Sequence, residues 1–307
     1  MNEVRTASFT GPNIFQVRLY LFARGRFIAG WFFGLIGEHS LRVVLLVATS
    51  CLAGAENVQT VSPLRPAWQD AAHFLATDAN KSFTQARSHP EVNVGERELG
   101  EAITLLNVQP RTAGNILRAR EILGKYAAEA SAEETSIFAR YFLARVYEAF
   151  EEPAQPEKAL AIYKELVDRY SGDSLAEHSA SRLVFIELYD DISSKERDRR
   201  FAELEELAPK LKSTMGRRDY HLNMGNAYID FGGSPVKAIA HLLAAETDGI
   251  TNRDVEAATW IAIAELGRGE GEIDLARAYY RKFLAKYERD NRHYTIQQRL
   301  EALPLAK

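Results

Sequence analysis

One internal echo constrains this chain more than any other feature. IYKELVDRY, Ile162 to Tyr170, returns as YYRKFLAKY, Tyr279 to Tyr287, and in a looser form as RAREILGKY, Arg118 to Tyr126. Each copy holds a basic residue, two adjacent apolar residues and a closing basic-Tyr pair. The first two copies match further upstream, where Ala159 pairs with Ala276, 117 residues away, or three units of about 39. Within the first copy Ala159, Tyr163, Leu166 and Tyr170 recur at spacings of four and three, flanked by Leu160 and Val167. That is one face of a helix about four turns long. Such a helix is marginal alone in water and needs a surface to cover its stripe.

The surface is expected to come from a second kind of helix that precedes each copy. Ile137 to Phe150 precedes the Ala159 helix, Tyr220 to Phe231 precedes the helix of Ala238, and Ala257 to Gly267 precedes that of Ala276. VKAIAHLLAAE, Val236 to Glu246, repeats the Lys-Ala-x-Ala of Lys158 to Ala161. Beyond Ala55 the pattern is helical almost throughout, with no convincing alternating strand. Pro63, Pro66, Pro90, Pro110, Pro153, Pro156 and Pro235 fall between periodic runs and mark loops or helix starts. Pro209 is expected to end or kink a helix near Ala208.

The first helices carry Met224-Gly225 with Tyr228, Leu143-Ala144 with Tyr147, and Trp260 with Ile263-Ala264. The second helices carry the pairs Ala159/Tyr163, Ala238/Leu242 and Ala276/Tyr280. Together these resemble a tetratricopeptide repeat (TPR) array, whose first helix has a leading Trp, a Leu-Gly pair and then a Tyr. The resemblance implies an all-α fold, a right-handed α-solenoid of helical hairpins. In it Gly225, Ala144 and Ala264 let the partner helix approach, and the aromatic one turn away fills the space. The closing proline of the family is missing; Ser171, Ile250 and Glu288 stand in its place. Weaker hairpins are Ser174 to Tyr189 with Glu196 to Ala208, and Arg97 to Leu106 with Thr112 to Ala127; Ala67 to Arg87 is a further pair or a cap. The chain then divides into a leader at 1–55, a helical cap or linker at 56–96, the repeat domain at 97–290 and a helical tail at 291–307.

The leader differs from the rest. Ile28 to Ile36 reads IAGWFFGLI, and after GEHS comes LRVVLLVATSCLAGA, Leu41 to Ala55. Arg42, a short apolar core and the exit Ala53-Gly54-Ala55 form a secretory signal, with cleavage expected after Ala55. Its start more than thirty residues into the chain is unusual and implies a downstream translation start or a long leader. A single-pass membrane anchor is the competing reading, but neither run reaches roughly 18 uninterrupted apolar residues, and Glu38, His39 and Arg42 sit between them. Cys51, the only cysteine, lacks the leucine three positions earlier that lipid attachment usually has; Ala48 is there. Cleavage leaves a chain without thiols and with 33 basic against 40 acidic residues, a net of −7. The whole chain, at 307 residues, carries −4, which gives no electrostatic case for nucleic acid. Its basic runs, Lys195 to Arg200 and Arg281-Lys282, are interleaved with acids or stand alone.

No cluster has the makings of a catalytic, cofactor or metal site. His73, His89, His178, His241 and His293 lie on separate segments without metal-ligand spacing, and His221 takes the packing slot of Trp260. Asp190-Asp191 and Glu205-Glu206 fit solvated faces. GRGEGE, Gly267 to Glu272, joins two helices and lacks the strand and Lys-Ser/Thr of a phosphate loop.

Surface remains. In TPR proteins the first helices line a concave face that binds partner segments, and the matching positions here are Phe138, Tyr141, Phe142, Arg145, Asn223, Asn226, Ile261 and Glu265. Phe138, Tyr141 and Phe142 form either an aromatic anchor for a partner or packing for the neighbouring hairpin. Asn223 and Asn226 match the asparagines of a carboxylate-gripping clamp whose lysines and arginine have no counterpart here. The resemblance implies a non-enzymatic protein-interaction scaffold of the bacterial cell envelope, exported to the periplasm, with a protein partner and no nucleic acid or cofactor. The alternatives are a helical superstructure serving a cell-wall or envelope enzyme, and a membrane-anchored form of the same scaffold.

Overall fold

The computed structural model describes residues 62–129, 133–189 and 193–304. The signal features Cys51, Ala53 and Ala55 and the pair Asp190-Asp191 lie outside the described residues. Those residues form thirteen α-helices and no strand. In chain order, α1 (Arg65–Ala72), α2 (Ala76–Gln85), α3 (Val94–Leu105) and α4 (Ala113–Ala127) come first. Next are α5 (Glu134–Arg145), continued by a π-helical turn Val146–Phe150, then α6 (Pro156–Arg169), α7 (Ser174–Leu188) and α8 (Ser194–Glu205). Then follow α9 (Thr214–Asp230), α10 (Pro235–Thr247), α11 (Arg253–Glu270), α12 (Ile273–Lys286) and α13 (His293–Glu301).

The helices start where short polar side chains satisfy free amides. Asp173 accepts from Leu175 and Ala176, Ser213 from Gly216, Ser234 from Lys237, and Asn252 from Asp254 and Val255. Pro156 and Pro235 open α6 and α10, where the missing N–H is no loss. Pro209 lies in a 3-10 turn, Ala208–Lys210, three residues after α8 has already ended at Glu205. It therefore follows a helix end and causes no kink.

Consecutive helices pack on one another along the chain, and the residues 67–87 form a true pair, α1 and α2. First helices also pack side by side, α1 on α3, α3 on α5, α5 on α7 and, most extensively, α7 on α9. The second helices do not pair to that degree, so the first-helix row is the inner layer that joins successive hairpins of the solenoid. The small residues sit at the crossings. Ala144, Ala159, Ala238, Ala264 and Ala276 are fully buried, as are Tyr163, Met224 and Tyr280. A methyl at Gly225 would stand 2.7 Å from Leu242 Cδ2, so only hydrogen leaves room for α10 at this distance. Trp260 and Tyr228 are buried, while Leu143 and Tyr147 are half-buried against the core. The tail covers the last hairpin, with Ile296 and Leu303 in one cluster with Trp260, Phe283 and Tyr287.

One helix departs from this pattern. α9 packs directly on α7, and α8 stands off from the row. SKERDRRFAELE offers only Phe201 and Leu204 to the core. Phe201 stacks on the Tyr228 ring at 4.1 Å, and the Tyr220 hydroxyl donates to the Leu204 carbonyl at 2.8 Å. At its other end Arg197 and Arg200 donate to the carbonyls of Leu188 and Glu187 at the end of α7, at 3.1 and 2.9 Å.

Candidate interaction face

The face expected for a partner is the inner row of α5, α7, α9 and α11, and it has a sealed floor and a half-open rim. Phe138 and Tyr141, expected on the open face, are only 3% and 2% exposed. Phe138 meets Trp68 of α1 edge-on at 6.5 Å, and Tyr141 lies between Tyr163 of α6 at 5.9 Å and His178 of α7 at 5.8 Å. The neighbouring helices cover them, so they are packing residues. Phe142, one position on, is half-buried and packs on both.

Arg145 belongs to the floor. The π-helical turn brings Glu148 back toward it, and the two pair at 2.6 Å. Glu148 also accepts from Arg182 of α7 and, at 2.8 Å, from the Tyr163 hydroxyl of α6. One carboxylate thus ties three helices, and it neutralises one of two buried guanidinium charges. Burial and the nearby Arg145 both push Arg182 down from its usual range. The next step along the row is similar. His178 lies 3.4 Å from Asp219 of α9, and Arg218 donates to the same carboxylate at 2.8 Å. Burial opposes the ionisation of Asp219, but its neighbours His178 and Arg218 prevail and hold it below the usual carboxylate range.

The rim is less committed. Phe142, Phe185, Leu222, Asn223, Asn226 and Ile261 are all half-buried on first helices. The Arg182 guanidinium lies 5.2 Å from the Phe185 ring, so the rim's aromatic and the floor's charge adjoin. Farther along, Tyr189 donates to Asp230 at 2.6 Å and packs on Phe231 at 5.0 Å. Glu265 differs from its expected role, because the Tyr280 hydroxyl, Arg268 at 2.9 Å and Arg299 of α13 at 2.6 Å already occupy it. Phe185 escaped because the sequence pattern aligned the hairpin of α7 only weakly, and Leu222 because it lies between the matched asparagine positions and the packing slot of His221.

The sequence also separates two histidines that the fold joins. His221 of α9 and His241 of α10 approach to 2.8 Å, Nδ1 to Nδ1. The hairpin register did not announce it: Gly225 opposes Leu242 in an antiparallel pair, which by itself sets position 221 nearer Ala245 than His241. Among the described residues no three His, Cys, Asp or Glu side chains gather as a metal set, and no helix is long and apolar enough to cross a membrane.

No family model matches the chain, and no curated protein matches its sequence. Among solved structures it is similar to a thermophilic TPR protein of Thermus thermophilus, at 20% identity and a TM-score of 0.40, over 68% of this chain and 98% of that one. It is also similar to a chain of the APC/C hetero-tetramer Cut9–Hcn1, at 13% identity and a TM-score of 0.44, over 93% of this chain and 51% of the other. The solenoid architecture rests on the helices of this chain itself.

Proposed function

We propose that the protein is a non-enzymatic interaction scaffold that takes a partner segment on its inner row of helices. The observation that carries this reading is the division of that row into floor and rim. The floor's ionisable groups are already engaged with one another, whereas the rim presents Phe142, Phe185, Leu222 and Ile261 half-exposed on successive first helices. Half-exposed apolar side chains on successive first helices of a pre-formed solenoid suit an extended or helical segment, because little ordering cost falls on the scaffold.

A photo-crosslinking residue at Phe142 or Leu222 tests this against one at Leu117, which is exposed on the second helix α4. Specific crosslinks to one protein from the rim positions, absent from position 117, support the reading. Crosslinks from 117 alone, or none from the rim, overturn it.

We further propose, from the Arg42–Ala55 signal pattern, that the scaffold works in the cell envelope after export. Mass spectrometry of the mature N-terminus tests that: a chain beginning at Glu56 supports it, and an intact leader supports the anchored form.

A further inference from the structure

Two guanidinium groups share one carboxylate on the floor between α5 and α7. One oxygen of Glu148 accepts from Nη1 of Arg145 at 2.6 Å, Nε of Arg182 at 3.3 Å and the Tyr163 hydroxyl at 2.8 Å. The other accepts from Nη2 of Arg182. Four bonds exhaust a carboxylate's lone pairs. Among the described residues no second acid stands within salt-bridge distance of either arginine. The next carboxylate along the row, Asp219, is already engaged by Arg218 at 2.8 Å and His178 at 3.4 Å. The floor therefore carries one positive charge more than its acids balance. The Arg145 and Arg182 side chains are only 11% and 7% exposed, and an unbalanced charge at such burial is costly.

The spare donors open outward. Nη1 of Arg182 and the Tyr141 hydroxyl make no hydrogen bond to the described residues, yet neither is among the buried unpaired atoms, so both meet water. Burial raises the Tyr141 hydroxyl above its usual range against the pull of Arg145 and Arg182, so it remains a donor. The surface around these donors is aromatic. Phe142 meets the Tyr141 ring edge-on at 5.2 Å, and the Phe185 ring lies 5.2 Å from the Arg182 guanidinium. Both rings are half-buried. One spare positive charge matches a carboxylate, whereas a phosphate would bring up to about two negative charges toward a floor that already holds Asp219. The first-helix row continues on both sides of this place, through α3 and α9. A segment lying along the row passes over Arg182 and presents a side chain there, not a chain end.

We propose that the floor between α5 and α7 receives an aspartate or glutamate side chain of the partner segment. Its carboxylate lies against Nη1 of Arg182 and the Tyr141 hydroxyl, and the apolar residues beside it rest on Phe142 and Phe185. The partner is thus recognised by an acid set between apolar residues. The apolar neighbours supply contact area, and the charge-assisted bonds fix the register of the segment on the row. A lysine or arginine at that place would set a third cation against the pair and is refused. The inference rests on the inner row as the binding face and adds the chemistry that the row selects.

NMR of the arginine Nε–H groups and the phenylalanine rings in the full chain tests this, with three tripeptides as probes at fixed salt. Acetyl-Leu-Glu-Leu-amide should move the Arg145 and Arg182 signals saturably, together with those of Phe142 and Phe185. Acetyl-Leu-Gln-Leu-amide has the same shape without the charge, and should bind at least about tenfold more weakly. Equal binding of the two amides overturns the inference; shifts confined to Phe142 and Phe185 would then leave the inner row as a binding face without a carboxylate. The third probe, acetyl-Leu-Gln-Leu with a free terminal carboxylate, separates the two sources of the charge. If it moves the arginine signals where the glutamate amide does not, the place belongs to a chain end and the inference falls. Loss of the row itself is read separately, from missing rim crosslinks. All three titrations use the unaltered chain, so no variant has to fold for them to decide.

Discussion

The carboxylate of Glu177 is buried in α7 and accepts the backbone N–H of Ser213 at 2.6 Å, 36 residues along the chain. It also accepts the amides of Lys212 at 2.7 Å and Gly172 at 2.8 Å. One side chain therefore satisfies the amides at the entry to α9 and those of the turn before α7. This is why α9 can pack on α7 directly and pass over α8. Hydrogen bonds to a charged group are each worth about 1.5–3 kcal/mol. Glu177→Gln keeps the shape but turns an amide N–H toward a backbone N–H, and should cost about 1–3 kcal/mol. The urea midpoint measures this. A loss within error would mean that water replaces the carboxylate without penalty.

Two glycines should respond to added methyl groups with opposite signs. At Gly225 a Cβ meets Leu242 at 2.7 and 2.9 Å, and Ala238 O at 3.4 Å. Gly225→Val forces α9 and α10 apart and should cost about 1–3 kcal/mol by overpacking. Gly124, inside α4, has nothing within 4 Å of its absent Cβ. Gly124→Ala should raise stability by up to about 1 kcal/mol through helix propensity alone. Thermal unfolding of both variants compares the signs directly: a Gly225→Val variant as stable as the parent would refute the packing argument, and a destabilised Gly124→Ala the propensity argument.

These cases mark what the sequence could reveal. The echo of Ala159 and Tyr163 at Ala276 and Tyr280 is legible because a hairpin crossing repeats its packing needs at a fixed period. The same period located Gly225, and the crowding at its Cβ agrees. Glu177 was not legible, since its partners are backbone amides that come near only after α7 and α9 have met. Phe138 and Tyr141 look like a surface anchor from their own helix. Their covers are Trp68, Tyr163 and His178, on three other helices, and no local pattern encodes that. The floor of Arg145, Glu148 and Arg182 escaped for the same reason, with a π-helical turn added that shifts Glu148 out of α-helical register.

The aromatic turn of α5 should divide by burial. Phe138→Ala empties a site between Trp68 and Phe142 in the core and should cost about 3–5 kcal/mol. Leu222→Ala, on the half-open rim of α9, removes little buried contact and should cost about 1 kcal/mol or less. The rim variant is the one expected to lose the partner while it keeps helical content. Circular dichroism with urea titration reads the first difference and the rim crosslink the second. A partner lost only with Phe138→Ala, in step with unfolding, would count against a binding rim.

Acid should destabilise the protein in two separate windows. Glu98, Glu205, Asp219, Glu256 and Glu265 all lie below the usual carboxylate range; burial opposes this in each, and hydrogen bonds outweigh it, led by Lys125 at Glu98 and Tyr280 at Glu265. A depressed carboxyl adds stability that is complete above its unfolded pKa, about 4, and is lost as pH falls through the folded value. Those groups therefore act below about pH 4. His221 behaves differently. Burial holds it at about 4, so between its unfolded pKa of about 6.5 and that value the unfolded chain takes up a proton that the folded chain refuses. Stability then falls with pH across that interval, at up to about 1.4 kcal/mol per pH unit for one proton, and His241 adds to the slope. Urea titrations at half-unit steps should show a first descent between about pH 6.5 and 4 and a second below it. Combining His221→Asn with His241→Asn should flatten the first and leave the second. A first descent that stays intact in the double variant would assign the proton uptake to other groups.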